Sequence, residues 1–571
     1  MQSLVLLTLV LALSSASPAA LLPGIWVAEG SNRPLLSGHI VIRSDGARWT
    51  ASVGSSRASD AGVRGARDLS FIFPGHAGEL RTGPPNAAGI AGLWIQPGSS
   101  IDSFEYATPV QFSPLRPGVW SAELQPYVPR FRLYIQISRR PDGSLGGFIR
   151  DPIGNFGTMS DFTKIDIIGN RFVFHRRNRD HRGVLAADGN SFSLAIGEGR
   201  PVRFRRVSSA EATGFEPRNS GDPAPVVVPP NANDGWPVGS LESAAINASL
   251  LNSLNRKLAT LEPTSARSPF IQGFLVARNG ALVFDQYYFG FDRLTPHDVR
   301  SAGKSLDSAL VNVATRANPA LDPGQHVVRW LPYAAYANPD PRKQRIRIVN
   351  LLDMTSGLDC DDNNDSSAGN EDRMQSQETQ NDWYKFMMDL PMVAEPGSHK
   401  AVYCSGGLNL VGGVLANATH EWTPRLFDEN IARPLQFGLY HLQLTPGREM
   451  YLGGGSYFLP RDFLKLGQLF LNDGVWHGRR IVSAAWARDA TKPHSGLNEP
   501  NDYGYAWHLT TYRVHDVTYH AFEAQGNGGQ YLAVVPALKL VVEIMAANYG
   551  DYRTWSKFHD LIQDYVVSAC R

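Results

Sequence analysis

A serine and a lysine three residues apart, Ser301 and Lys304, are the pair in this sequence best placed to do chemistry. A serine hydroxyl is a poor nucleophile until a neighbouring base takes its proton. Leu310 and Val313 continue a helical pattern after the pair, and residues three apart on a helix share one face. The start of a helix stabilises negative charge at the serine, while burial lowers the pKa of the lysine, so that a neutral amine can act as the base. The spacing therefore predicts nucleophilic catalysis by a serine.

Two other interpretations of this segment need weighing. Ser-x-x-Lys also arises by chance, as a helix-capping serine followed by an exposed lysine. A phosphate-binding loop is excluded for Gly303-Lys304-Ser305, because that motif requires a glycine where the chain has Asp298. The segments that follow along the chain favour the catalytic interpretation over the capping one.

Five segments stand in a fixed order and carry a family resemblance. They are Ser301-Ala302-Gly303-Lys304, Leu351-Leu352-Asp353-Met354-Thr355-Ser356-Gly357-Leu358, Glu395-Pro396-Gly397 ahead of Tyr403-Cys404-Ser405, residues 461–467 ahead of 474–478, and Gly526-Asn527-Gly528-Gly529-Gln530. In type and order they resemble the family of class C β-lactamases, penicillin-binding proteins and related esterases, over about residues 236–571. The resemblance implies that Ser301 is acylated, that Lys304 relays its proton, and that Tyr403 shares the acid–base work.

Tyr403 has a physical reason to take part. A phenol beside a lysine ammonium is expected to have a lowered pKa and to exchange protons near neutrality. A buried aromatic is the usual alternative for a single tyrosine. The Pro-Gly turn before Tyr403 and the Ser-Gly-Gly after it favour a loop tip instead.

Two motifs depart from the family pattern. The second ends in Ser405 instead of asparagine, and we expect Ser405 to hydrogen-bond Lys304 or substrate. The third is Gly526-Asn527-Gly528 instead of Lys-Thr-Gly or His-Thr-Gly. We still expect an oxyanion donor near Gly529 beside the backbone of Ser301. The predicted oxyanion and substrate-binding set is Ser301, Ser405, Asn527, Gly528, Gly529 and Gln530.

The missing third-motif side chains bear on the substrate. A charge-assisted hydrogen bond to the carboxylate of a β-lactam or a D-Ala terminus is worth about 1.5–3 kcal/mol. Weak or absent β-lactamase activity follows, with a preference for esters or small amides that lack this carboxylate. The variant motifs look most like the esterase and aminohexanoate-dimer hydrolase branch of the family.

The elements around these motifs predict an α+β domain at 240–571. Ile246, Leu250, Leu254 and Leu258 predict a helix, and Asn279-Gly280 predicts a tight hairpin between 271–277 and 281–289. A strand pair (531–535 and 540–547) and a last helix containing Trp555, Phe558, Ile562 and Tyr565 close the chain. The expected architecture is β-lactamase/transpeptidase-like, an antiparallel sheet built from both ends of the domain, with flanking helices and a helical subdomain.

The N-terminal part, 21–208, predicts an all-β domain with an internal repeat. Pro23-Gly24-Ile25-Trp26 recurs as Pro117-Gly118-Val119-Trp120, and Pro109-Val110-Gln111-Phe112 as Pro201-Val202-Arg203-Phe204. The repeat suggests two units, about 22–115 and 116–208, with alternating strand patterns. They look similar to the lipocalin-like barrels attached to some serine hydrolases. A Pro-rich stretch, 209–239, predicts a linker.

Composition and apolar runs indicate which partners and which location to expect for the protein. The formal charge of +1 favours neither nucleic acid nor an anionic membrane as a partner. The apolar run 4–13, followed by small residues at 14–17, predicts an export signal at 1–20, although its start lacks Lys and Arg and a buried element is the alternative. No later run reaches the ~20 apolar residues of a membrane span. Export to the periplasm or the exterior, without stable membrane insertion, is expected.

The three cysteines allow one disulfide, and the sequence leaves its pairing open. Their spacing matches no zinc site, and no metal or cofactor is expected.

An acidic segment separates the second and third motif blocks. It contains Asp359, Asp361, Asp362, Asp365, Glu371, Asp372, Glu378 and Asp382. Either it is a solvated loop, the favoured interpretation, or it is a pocket lid that prefers amine-ended substrates.

These patterns predict an exported serine hydrolase that cleaves a small-molecule ester or amide through a Ser301 acyl-enzyme. A D-amino-acid peptidase, β-lactamase or penicillin-binding protein is the alternative within enzymes. A binding protein whose β domain does the work, with a degenerate hydrolase domain, is the alternative outside them.

Overall fold

The computed structural model describes residues 21–46, 48–59, 68–87, 89–154, 159–176, 180–196, 201–218, 225–376, 381–398, 400–500 and 502–570. The predicted export signal at 1–20, Glu378 of the acidic segment and part of the predicted linker lie outside these ranges. Among the described helices, none is long and apolar enough to cross a membrane.

The N-terminal region is all-β, as predicted. Buried and exposed side chains alternate most regularly along the strand His181–Leu185, which therefore has an inner and an outer face. The strands are β1 (Gly24–Ser31), β2 (Gly38–Ser44), β3 (Trp49–Val53), β4 (Ser56–Ser59), β5 (Leu69–Phe73), β6 (Gly78–Thr82), β7 (Ile90–Gln96), β8 (Tyr106–Arg116), β9 (Val119–Leu124), β10 (Arg130–Arg139), β11 (Leu145–Arg150), β12 (Ser160–Ile168), β13 (Arg171–His175), β14 (His181–Leu185), β15 (Ser191–Leu194) and β16 (Val202–Val207).

Two strand assemblies make up this region. β1 joins β10 to β16 in a closed barrel, and the remaining strands pair in the order β5-β6-β7-β8-β9-β2-β3-β4. Aromatic side chains fill the closed barrel, where Trp26, Phe174 and Phe204 are wholly buried and Phe192 stacks on Phe204. The barrel interior is therefore a packed core.

The C-terminal domain contains the remaining elements. Its strands are β17 (Ile271–Arg278), β18 (Ala281–Tyr287), β19 (His297–Asp298), β20 (Tyr440–Gln443), β21 (Tyr457–Phe458), β22 (Val475–Trp476), β23 (Arg479–Arg480), β24 (His508–Val514), β25 (Val517–Gly526), β26 (Gln530–Val535) and β27 (Leu540–Ala546). Its helices are α1 (Ala248–Ala259), α2 (Lys304–Ala317), α3 (Ile348–Leu352), α4 (Glu371–Gln375), α5 (Trp383–Asp389), α6 (Ser405–Thr419), α7 (Thr423–Phe427), α8 (Pro460–Leu471), α9 (Ala484–Ala490), α10 (Tyr552–Trp555) and α11 (Phe558–Leu561).

The predicted α+β class is confirmed by a six-stranded antiparallel sheet in the order β18-β17-β27-β26-β25-β24. Side chains of β17 alternate between two cores. Phe274 and Val276 pack with α1 on one face, while Leu275 and Ala277 pack towards α2 and α8 on the other. A two-residue period along a strand buried on both faces produces this arrangement.

The predicted hairpin is confirmed, whereas the first helix starts after the predicted Ile246 and the last helix is interrupted. Asn279 and Gly280 both adopt positive φ, +55° and +80°, as a tight hairpin turn requires. The first helix begins at Ala248 with Asn247 as its cap. The predicted last helix is instead broken into α10, α11 and a π-helical turn at Ile562–Val567.

The sheet that holds β19 crosses from one region into the other. It runs β19-β21-β20-β8, so that strands of the C-terminal domain pair directly with a strand of the N-terminal region. The described part of the Pro-rich stretch also packs closely, since Trp236 is buried and donates to the carbonyl of Arg461 at 2.8 Å. The two regions therefore share a sheet and a core, which the sequence did not indicate.

Candidate active site

Ser301 lies on a single 3-10 turn, Arg300–Gly303, between β19 and α2. Arg300 has a left-handed φ of +49°, a conformation that costs about 1–3 kcal/mol in a non-glycine residue. Gly454 packs against this turn so closely that a Cβ there would lie 2.8 Å from the Arg300 carbonyl oxygen. Gly454 therefore packs directly against the strained turn. The Ser301 side chain on this turn is half-buried.

Lys304 is the first residue of α2 and its side chain is almost fully buried. Its Nζ lies 2.8 Å from Ser301 Oγ and also donates to the Gly453 carbonyl. Burial lowers the pKa of Lys304, and the nearby carboxyl groups of Glu371 and Asp362 partly oppose that shift. The amine is therefore close enough to Ser301, and acidic enough, to serve as its base.

Tyr403 precedes α6, and its ring centroid lies 5.0 Å from Lys304 Nζ. Burial raises the pKa of the Tyr403 phenol, the Ser301 hydrogen bond lowers it, and the charges of Asp362 and Glu371 raise it further. The prediction of a lowered pKa is therefore wrong, because desolvation outweighs the hydrogen bond with Ser301. A raised pKa favours the protonated phenol, and a protonated phenol can donate a proton.

Two carboxyl groups of the acidic segment, Asp362 and Glu371, lie near Lys304. Asp362 accepts hydrogen bonds from the backbone N–H groups of Ser405 at 2.7 Å and Glu371 at 2.9 Å. The Glu371 carboxyl accepts a hydrogen bond from the Tyr451 hydroxyl. Burial raises the pKa of both carboxyl groups, and the charge of Lys304 lowers it. The solvated-loop interpretation is thus wrong for these two residues.

The other acidic residues of this segment behave differently. Asp365 and Asp372 are exposed, as a solvated loop would have them. A disulfide between Cys360 and Cys404, with Cα atoms 5.5 Å apart, resolves the pairing that the sequence left open. This bond fastens the acidic segment to the motif that carries Tyr403. Cys570 is the free cysteine, and it is half-buried.

Asp307 is a further carboxyl group that sequence reasoning missed. It lies one turn after Lys304 on α2, is almost fully buried, and its Oδ2 has no hydrogen-bond partner among the described residues. Burial raises the pKa of Asp307 far above its usual range, and Lys304 is the cation that opposes this shift. The helical pattern could have placed it, since residues three apart share a face.

Ser405 does not make the predicted contact with Lys304. It begins α6 and is fully buried, and within the described chain the Lys304 amine bonds to Ser301 and Gly453 only. The Ser405 backbone N–H donates to Asp362, and the predicted contact of Ser405 with substrate stays a prediction.

The third motif forms the turn between β25 and β26, and it differs in detail from the prediction. The Gly529 N–H donates to the Gly526 carbonyl at 3.1 Å, so it is not a free oxyanion donor. Gly526 lies against the nucleophile turn, where an added Cβ would be 3.1 Å from the backbone nitrogen of Ala302. Asn527 is the residue after Gly526, and its backbone N–H has no acceptor among the described residues. We therefore take the Asn527 N–H, instead of that of Gly529, as the candidate oxyanion donor.

The remaining third-motif residues are structural. Gly528 and Gly529 have φ near +97°, and a Cβ on them would collide with Tyr549 and Phe558. The Gln530 side chain is buried and bonds to both backbone groups of Ala546, which joins β26 to β27. Gly528, Gly529 and Gln530 therefore shape the turn, and direct substrate binding by these residues stays a prediction.

Three side chains and the adjoining backbone make up the candidate site. In the part of the chain that the structure describes, no group of three or more His, Cys, Asp or Glu residues is arranged to hold a metal ion. Ser301, Lys304 and Tyr403 converge, and the turn that follows Gly526 lies against the segment that carries Ser301. Such an arrangement can transfer an acyl group to a serine and stabilise the oxyanion that forms.

Comparison with known proteins gives a family match over the same segment. Residues 272–556 match the family model described as Beta-lactamase. A 6-aminohexanoate-dimer hydrolase of Paenarthrobacter ureafaciens is 24% identical over 239 residues, which cover 37% of this chain and 55% of that relative. The match thus spans little more than half of that relative's length.

Solved structures of related proteins align at low identity. A putative 6-aminohexanoate-dimer hydrolase from Bacillus anthracis aligns with a TM-score of 0.43 and 17% identity, over 51% of this chain and 78% of its own. A penicillin-binding protein homologue from Caulobacter crescentus aligns with a TM-score of 0.42 and 16% identity, over 58% of this chain and 99% of its own.

Proposed function

Since this chain belongs, through residues 272–556, to the beta-lactamase family of serine hydrolases, we propose that it cleaves an ester or small amide bond through an acyl-enzyme on Ser301. The observation that carries the proposal is the 2.8 Å separation between Ser301 Oγ and the buried amine of Lys304. Tyr403, a protonated phenol beside both groups, completes the reacting set.

The reaction proceeds in two half-reactions. Neutral Lys304 takes the Ser301 proton as Oγ attacks the substrate carbonyl, and the backbone N–H groups of Ser301 and Asn527 stabilise the oxyanion. Tyr403 then gives its proton to the departing alcohol or amine and recovers one from the Lys304 ammonium. Water attacks the acyl-enzyme by the same proton path in reverse, which returns the acid and the free serine.

The third-motif turn supports the choice of ester or amide over β-lactam. None of its residues, 526 to 530, bears a cationic side chain. A substrate carboxylate would therefore lack the charge-assisted partner that is worth about 1.5–3 kcal/mol. The carboxyl groups of Asp362 and Glu371 beside Lys304 add negative charge, which disfavours an anionic substrate further.

A substrate panel on the full-length protein tests the proposal. We expect 4-nitrophenyl esters or anilides to be hydrolysed and nitrocefin to be hydrolysed poorly, with all turnover lost in Ser301→Ala. A stable penicilloyl adduct on Ser301 would favour the penicillin-binding alternative. No turnover above that of Ser301→Ala on any substrate would favour the binding-protein alternative.

One observation weighs against the binding-protein alternative. The described interior of the closed barrel is filled by stacked aromatic side chains such as Phe162 on Phe174, with ring centroids 4.5 Å apart. A lipocalin-like carrier needs an open cavity there.

We also propose that the N-terminal region is a tandem repeat whose two units exchange their first strands. β1 carries the first Pro-Gly-x-Trp and pairs with β10 and β16, whereas β9 carries the second and pairs with β2 and β8. In each case the first strand of one unit lies between the second strand and the last strand of the other unit. The boundaries near 115 and 208 stay predictions.

Export remains part of the proposal. The apolar run at 4–13 supports it, and the Cys360–Cys404 disulfide is typical of proteins that fold in an oxidising compartment. Detection of the mature protein outside the cytoplasm, with a new N-terminus near residue 20, would test it.

A further inference from the structure

A cleft lies where the N-terminal region meets the catalytic domain, outside the site described so far. The segment between β9 and β10 supplies Tyr127 and Val128, and the catalytic domain supplies Leu294, Asp298, His441 and Tyr457. Its volume is about 260 Å³. A cavity of about 150 Å³ is enough to hold benzene, so this one has room for a bicyclic ring.

The mouth of the cleft is apolar. Val128 is 42% exposed and Leu294 is 60% exposed, and these two large aliphatic side chains come from different regions of the chain. The wall behind them is aromatic, with the rings of Tyr127 and Tyr457 4.7 Å apart and that of His441 5.3 Å from Tyr127. Exposed apolar residues around a concave aromatic surface are typical of a ligand site.

Polar atoms with unused hydrogen-bonding capacity face this apolar surface. His441 is 4% exposed, and its Nδ1 lies 2.8 Å from Thr108 Oγ1, while its Nε2 has no partner among the described residues. The Tyr127 hydroxyl donates to the Tyr457 hydroxyl at 2.9 Å. The Tyr457 proton has no acceptor in the described structure. A ligand with one hydroxyl or carbonyl oxygen could satisfy either group.

Arg130, which also lines the cleft, has an exposed side chain, and the buried charged groups of the cleft are paired or neutral. Asp298 is 5% exposed and already forms an ion pair of 2.8 Å with Arg300. Burial lowers the pKa of His441 to about 3, so this imidazole is uncharged at neutral pH. Asp298 also lies three residues before Ser301 and accepts the Arg300 backbone N–H at 2.9 Å. The cleft therefore adjoins the segment that positions the nucleophile.

We propose that this cleft, built jointly by the N-terminal region and the catalytic domain, binds an uncharged aromatic group of the substrate that Ser301 attacks. The subsite rests on the proposed hydrolase function. It gives the N-terminal region a role in substrate selection, through Tyr127 and Val128.

Binding is tested with 2-naphthol and full-length Ser301→Ala protein by titration calorimetry, which requires no turnover. We expect saturable 1:1 binding, and we expect Leu294→Trp or Val128→Trp to weaken it about tenfold or more by filling the cleft. Tyr457→Phe keeps the ring and removes one hydrogen bond, so it should weaken binding about 3- to 10-fold. Leu115→Trp, on an exposed residue of β8 outside the cleft, is the matched control and should bind like the parent.

The absence of saturable binding, or unchanged binding in both tryptophan variants of the cleft, would overturn the site. Kinetic measurements on protein that retains Ser301 then test whether the cleft binds part of the substrate that Ser301 attacks. Leu294→Trp should raise KM for 2-naphthyl acetate at least about tenfold relative to KM for methyl acetate. Equal effects on the two esters would overturn the subsite assignment. Naphthol binding without any esterase activity would instead refute the hydrolase proposal and leave the site standing.

Discussion

Gly454 offers a sharp test of how the nucleophile turn is held. Its φ is +126°, and a Cβ at this position would lie 2.8 Å from the carbonyl oxygen of Arg300 and 3.1 Å from the backbone nitrogen of Ser301. Both of these atoms belong to the backbone, so no side chain can rotate away. Gly454→Ala must therefore move the turn that carries Ser301.

The size of the effect follows from this distance. Ordinary contact begins near 3.4 Å, so the turn must yield by about 0.6 Å. Because a misplacement of about 1 Å costs roughly 100-fold in rate, kcat/KM should fall about 15-fold. The left-handed backbone adds a stability cost of about 1–2 kcal/mol.

A matched control separates strain from displacement. Gly478, between β22 and β23, has φ +76°, and a Cβ added there would have nothing within 4 Å. Gly478→Ala therefore introduces backbone strain without displacing a neighbouring atom. We expect both variants to lower Tm, and only Gly454→Ala to lose activity on 4-nitrophenyl acetate. Equal kcat/KM in the two variants would refute the account of the turn.

Three further predictions concern the groups around Ser301. Tyr403→Phe should slow hydrolysis of an alkyl ester about 100-fold and that of a 4-nitrophenyl ester much less, because 4-nitrophenolate leaves without a proton; equal losses in kcat would argue against a protonated Tyr403 as the acid. Glu371→Gln removes a charge that raises the Lys304 pKa, so the acidic limb of the kcat/KM profile should move to lower pH, and a shift to higher pH would contradict this electrostatic assignment. Replacing Cys360 and Cys404 by serine opens a link between residues 44 positions apart, which should lower the free energy of unfolding by about 4 kcal/mol in urea titrations; a loss below about 1 kcal/mol would show that the acidic segment holds itself in place.

The sequence predicted what depends on local chemistry. The Asn279-Gly280 hairpin, the first helix and the proximity of Ser301 to Lys304 each follow from residues close together in the chain. Turn geometry and helical period act over a few residues, so their signals survive without knowledge of the tertiary fold.

What depends on packing between distant segments could not be predicted. Composition described the acidic segment correctly, but only folding brings Asp362 and Glu371 to Lys304. The Tyr403 pKa was predicted in the wrong direction because its burial is a property of the assembled site. The pairing of Ala107 with Leu442, across 335 positions, has no local signature, so the sheet shared by the two regions was missed.

The most direct test of the central claim is to identify the residue that a fluorophosphonate probe labels. If neutral Lys304 activates Ser301, peptide mass spectrometry should find one adduct, on Ser301, and Lys304→Met should be labelled at least about 100-fold more slowly at pH 7. A control with Ser301→Ala should remain unlabelled. An adduct on another residue, or full-speed labelling of Ser301 without Lys304, would contradict the account.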